Sequence, residues 1–133
     1  MKKIIILILL VVSTNVFAEW TEVGDSVHAG SKNVTSYADL ETIKKKGHKV
    51  KMWILYDFKT AQNAGNVRYL SAMIHNEYDC EEETLRILDL HTYLEGMGYG
   101  GVVYSETNIK YEAEAIRPGT IEKGLFNIAC DKK

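Results

Sequence analysis

Four histidines, two cysteines and one acidic run are the side chains of this sequence with chemistry to offer. His28, His48, His75 and His91 are candidate general bases, and imidazole is also the common protein ligand for metals and for haem iron. None of them sits in an H-E-x-x-H pattern, and no G-x-S-x-G occurs. Neither a zinc-hydrolase helix nor a nucleophile elbow is therefore encoded. His75 and His91 fall on strands expected to be neighbours, so they are the pair that could share a face as ligands. Counting back from a turn at 81–82 sets His75 opposite roughly Leu88, not directly across from His91. Glu81, Glu82 and Glu83 are consecutive, which suits a solvated acidic loop better than an acid–base pair. Gly96, Gly98, Gly100 and Gly101 lack dinucleotide-binding spacing and a following Lys-Ser/Thr, so they read as a flexible bend and not a phosphate cradle.

Cys80 and Cys130 must be read together with the start of the chain. Met1-Lys2-Lys3 is basic, Ile4 to Val12 is an unbroken apolar run, and Val16-Phe17-Ala18 offers small residues at the −3 and −1 positions. That is a secretory signal peptide, residues 1–18, with cleavage after Ala18. The run is too short to span a bilayer, which takes about 20 apolar residues. No cysteine follows the cut to accept a lipid, and no later segment is apolar enough to cross. Export leads to an oxidising compartment, where two widely separated cysteines without a C-x-x-C motif read as a disulfide before a redox or metal site.

The mature chain, residues 19–133, is one domain of 115 residues. Losing Lys2 and Lys3 leaves 14 basic against 18 acidic side chains, a net charge of −4. That balance argues against a nucleic-acid partner, for which a basic face is the usual footprint. Lys44-Lys45-Lys46 with Lys49 and Lys51 is a local exception and reads as a solvated turn or strand edge.

One proline and eight tyrosines favour sheet. Short strands are expected at 20–23 and 34–38, a compact turn at 39–43 and a polar hairpin tip at 44–47. His48 to Phe58 is the best strand. Val50, Met52, Ile54, Tyr56 and Phe58 share the face that meets the core, while Lys49, Lys51, Trp53, Leu55 and Asp57 share the other. Trp53 and Leu55 make that second face partly apolar, a hint that something covers it or binds there. A loop at 59–65, strands at 67–78, 84–93, 101–106 and 109–113, and a helix complete the series. Thr120 can cap the helix, and Ile121, Leu125, Ile128 and Ala129 give it one apolar face. The expected fold is α+β: an antiparallel sheet of about six strands with one C-terminal helix tethered to it through Cys80–Cys130.

In order along the chain, Trp20, Tyr37-Ala38-Asp39, Thr42-Ile43, Val50-Lys51-Met52-Trp53, Tyr69-Leu70-Ser71, Tyr78-Asp79-Cys80, Tyr93 with its glycines, and Ile116-Arg117-Pro118-Gly119-Thr120 before Cys130 form an ordered set. With that set the mature chain resembles the surface-adhesin protein E family of Gram-negative bacteria. The resemblance implies an antiparallel sheet with a tethered C-terminal helix, and an exported protein that binds host extracellular-matrix or serum proteins. A haem-binding role and self-association through the sheet, as a homodimer, also go with the family.

The resulting expectation is a non-enzymatic binding protein, in the periplasm or on the outer cell surface, that takes a protein partner and needs no cofactor. The binding surface is expected among Trp53, Tyr56, Tyr69, Tyr93 and Tyr104, because tyrosine and tryptophan combine apolar area with a polar tip. A periplasmic module for a small ligand such as haem, with His75 and His91 as ligands, and an inhibitor of a secreted enzyme are the alternatives.

Overall fold

The computed structural model describes residues 19–25 and 33–131. The signal peptide at 1–18 and His28 lie outside the described residues. Strands β1 (Thr21–Asp25), β2 (Val34–Lys46), β3 (Lys49–Ala64), β4 (Val67–Asp79), β5 (Thr84–Tyr93), β6 (Val102–Glu106) and β7 (Glu114–Ala115) are followed by helix α1 (Ile121–Ala129). They form one antiparallel sheet in the order β1-β2-β3-β4-β5-β6, with β7 pairing on β5 beside β6. The described residues contain no helix long and apolar enough to cross a membrane.

The period-two pattern of β3 decides which face is the core. Val50, Met52 and Ile54 are buried and meet Ala38 from β2 and Ile74 and Tyr78 from β4. Helix α1 closes this face with Leu125, Phe126 and Ala129, all but inaccessible to solvent. Burying Leu125 and Phe126 contributes about 1.5–3 kcal/mol each. The Phe126 ring meets Tyr78 at 6.3 Å with the planes at 62°. The Thr120 hydroxyl accepts from the Lys123 N–H at 3.1 Å, the N-cap bond expected from the sequence. A nine-residue helix is marginal alone. Its end is secured by the Cys80–Cys130 disulfide, with Cα atoms 5.7 Å apart, which joins it to the turn between β4 and β5.

The sheet departs from the sequence reading in four places. The turn expected at 39–43 is a bulge within one long strand β2, where pairing to β3 slips between Asp39 and Lys44. The Asp39 carboxylate accepts from the Glu41 N–H, and the Thr42 hydroxyl donates to the Asp39 carbonyl. Polar side chains thus satisfy the backbone without breaking the strand. The expected loop at 59–65 is the far end of β3, a two-stranded ribbon with the start of β4 that turns at Gly65. The expected strand at 109–113 is replaced by two paired residues, Glu114 and Ala115, while Ile109 is buried and its N–H donates to the Leu88 carbonyl at 2.8 Å.

The glycine bend is the fourth difference. Its 3₁₀ turn, Gly96–Gly98, folds back over the sheet face opposite the helix. The Ser71 hydroxyl donates to the Glu95 carbonyl at 2.6 Å and accepts from the Gly98 N–H at 2.9 Å, and Asp57 accepts from the Met97 N–H at 2.8 Å. These bonds pin the bend. Gly98 has φ +75°, and a Cβ there would run into the Met73 methyl, so only glycine suits the position.

Candidate binding surface

The face away from the helix carries a row of rings. Trp53 on β3 pairs with His75 on β4, and His75 pairs with Asp89 on β5. The Trp53 indole stacks on the His75 imidazole at 4.6 Å with the planes 2° apart, and on His91 at 5.9 Å and 14°. His75 Nδ1 lies 3.1 Å from Asp89 Oδ2, and His91 Nδ1 lies 2.7 Å from the Ser105 hydroxyl. Asp89 is further held by the Asn108 N–H at 3.2 Å. A register shift between His75 and Asn76 brings this set together: Asn76 pairs with Ile87, but His75 pairs with Asp89 instead of Leu88. The extra residue on β5 leaves His75 with a carboxylate for a neighbour.

The five aromatic residues singled out from the sequence do not form one surface. Trp53 and Tyr93 are half-buried on strands of the open side, and Tyr104 is exposed on β6. Tyr69 is half-buried near the β3–β4 hairpin, edge-on to Phe58 at 5.8 Å. Tyr56 packs against the core cluster, and burial drives its phenol well above the usual tyrosine range. The alternation that places Met52 and Ile54 inside also turns Tyr56 toward that side, where it packs partly buried against the core cluster.

Exposed apolar area gathers elsewhere. Among the described residues, Leu94, Tyr99, Val102, Tyr104 and Tyr111 are large and exposed, at 46–62 %, and Leu40 is the remaining one. All but Leu40 fall within residues 94–111, on and beside β6, the last strand in the sheet order, whose outer edge has no neighbouring strand among the described residues. The Tyr104 hydroxyl donates to Glu106 at 3.0 Å, and that bond raises its pKa. Val102 and Leu94 carried no tyrosine signal to find them by. Tyr99 and Tyr111 did, but which tyrosines are bare depends on where β6 sits. Among the described residues, no group of three or more His, Cys, Asp or Glu side chains could hold a metal ion.

A sheet, a helix joined to it by a disulfide and a bare aromatic edge define the class, a small stapled α+β domain with an open side. Residues 20–131 match the family model for surface-adhesin protein E, and the chain belongs to that family. Among solved structures, crystal form II of Haemophilus influenzae protein E is similar with a TM-score of 0.60 at 17 % identity, over 72 % of this chain and 80 % of that one. Protein E from non-typeable Haemophilus influenzae is similar with a TM-score of 0.54 at 18 % identity, over 84 % and 81 %. At such identities the likeness is one of fold. No curated protein matches the chain.

Proposed function

We propose that this chain is an exported, non-enzymatic surface adhesin that takes a protein partner, a host extracellular-matrix or serum protein, on its β6 edge. The observation that carries this reading is the collection of exposed aromatic and apolar side chains on and beside β6, the last strand of the sheet, in a member of an adhesin family. Tyrosine-rich apolar patches anchor protein interfaces, and an open edge can add a strand from a partner or from a second copy. Two measurements test it. Intact cells treated with external protease should lose the chain while a periplasmic control survives; protection until the outer membrane is opened overturns surface display. Immobilised matrix and serum proteins should bind the purified protein, and Tyr104→Ala with Tyr111→Ala should weaken that binding at least about tenfold, the usual weight of paired hot spots. Unchanged binding moves the partner off this edge.

One specific observation supports the small-ligand alternative. His75 and His91 each stack on Trp53, and each has its Nδ1 engaged by a neighbour, which leaves Nε2 as the ligand nitrogen. Haem added to the protein should then shift its Soret band, and the His75→Ala/His91→Ala double variant should lose the shift. No shift in the parent protein removes this alternative.

A further inference from the structure

The hairpin joining β2 to β3 sets lysines against each other. Lys44 is the direct cross-strand partner of Lys51, and Lys46 of Lys49. All four are exposed. Like charges directly opposite in an antiparallel pair destabilise it, since their Cβ atoms are only about 5 Å apart. The array continues across the sheet. Arg86 on β5 donates to Glu77 at 2.9 Å, and Lys49 reaches the same carboxylate at 3.9 Å. Beyond Arg86, a shallow depression of about 600 Å³ is lined by Lys51, His75, Arg86, Asp89 and Lys110, with Leu88, Asn108 and Ile109 between them.

The carboxylates near this array are already occupied. Glu77 is shared between Arg86 and Lys49. Asp79 accepts from the Glu81 and Glu82 N–H groups and meets His48 at 3.3 Å. Asp89 holds His75 and the Asn108 N–H. Six cations, Lys44, Lys46, Lys49, Lys51, Arg86 and Lys110, gather here, and Glu77, Asp79, Glu81 and Asp89 beside them are each engaged by another partner. Among the described residues, Lys44, Lys46, Lys51 and Lys110 have no carboxylate within ion-pair distance. The array runs across the strands for about 15 Å from β2 to β5, at about 4.8 Å per strand.

We infer that this cationic array is a binding site for a linear sulfated polysaccharide. A chain bearing sulfates at short intervals can lie across the strands and relieve both lysine pairs at once. The surroundings fit other polyanions less well. A lipid surface calls for apolar side chains beside the cations, and most of the exposed ones lie around β6. A single-stranded nucleic acid calls for open rings on which bases stack, and Trp53 is already stacked on His75 and His91.

The test is calorimetric titration of the disulfide-bonded protein with a heparin dodecasaccharide, its unsulfated counterpart, anionic phosphatidylglycerol vesicles and a single-stranded oligonucleotide of matched charge. The sulfated sugar should bind at about 0.15 M salt and weaken steeply as salt rises, because bound counterions are released. The Lys44→Gln/Lys46→Gln/Lys51→Gln variant should bind at least about tenfold more weakly, with a log–log salt slope lower by roughly 2. Lys59→Gln/Arg68→Gln, at exposed positions of the far ribbon, should stay within about twofold of the parent, as surface changes away from a site do. Lys44→Glu gives a readout independent of folding failure: it should raise the melting temperature of the free protein by turning a like pair into an opposite one, while weakening sugar binding. Absence of binding by the parent, equal binding by the triple variant, or tighter binding to vesicles or oligonucleotide overturns the inference.

Discussion

Replacing both Cys80 and Cys130 with alanine tests the central load path of the fold. The bridge spans 50 positions of sequence. Closing a loop of that length removes about 14 cal/mol/K of entropy from the unfolded chain, or about 4 kcal/mol at 25 °C. Domains of this size have a total stability of about 5–15 kcal/mol, so the loss takes a quarter or more of it. With a urea m-value of about 1.5–2 kcal/mol/M, the midpoint should fall by about 2–3 M, and the melting temperature by roughly 15 °C. Urea titrations followed in parallel by far-ultraviolet circular dichroism and by tryptophan fluorescence read the effect. The two probes should shift together, because Leu125, Phe126 and Ala129 make the helix part of the one core. A loss below about 1 kcal/mol would refute the loop-closure argument. A dichroism transition that precedes the fluorescence one would instead mean that the helix detaches while the sheet stands, and that the core contacts do not couple them.

Phe126→Ala should cost about 3–5 kcal/mol, measured by the same titration, because its ring is fully buried against Tyr78; a cost under 1 kcal/mol would place the ring outside the core. Asp79 titrates below its ordinary value chiefly because the Glu82 N–H donates to its carboxylate. Its contribution is therefore present above about pH 4, the unfolded value, and lost as pH falls through the lower folded value. Asp79→Asn should be less stable than the parent at pH 7, with the deficit shrinking as pH falls below about 4, and a deficit that does not change with pH would sink the charge argument. Gly98→Ala should destabilise by at least about 1–2 kcal/mol from its left-handed backbone alone, with Met73 displaced in addition. Gly101→Ala, with nothing near its Cβ, should stay within about 0.5 kcal/mol, so equal effects would place the strain elsewhere.

The parts of the fold legible in sequence are those where one face is buried. Val50, Met52 and Ile54 alternate because a core lies on one side, and Ile121, Leu125 and Ile128 recur at helical spacing for the same reason. The β3 extension past Phe58 has no such face, so Lys59 to Ala64 carries no period to read. The bulge at Asp39 to Lys44 looks like a turn because its polar side chains do make turn-like bonds. The ring cluster was half legible. Trp53 and Leu55 make its face partly apolar and point to it, but the pairing of His75 with Asp89 depends on one extra residue in β5, and an inserted residue leaves no mark in composition or period. The lysine pairs were visible only as a run of charge, because opposition across a hairpin needs its register.

The sheet order bears on how the molecule assembles. Each strand from β2 to β6 pairs with the one that precedes it in the chain, so no strand waits for a later one to find its neighbour. Such a sheet can be laid down in the order of synthesis, strand by strand, as the chain emerges from a narrow channel. The helix and Cys130 come after every strand, while Cys80 sits in the β4–β5 turn. Between the arrival of β6 and that of α1, the side chains of Met52, Ile54, Ile74 and Tyr78 are uncovered and the Cys80 sulfur awaits Cys130. That interval is when a chaperone or a thiol oxidant has the most to act on, and it closes in one step as the last turn of helix docks.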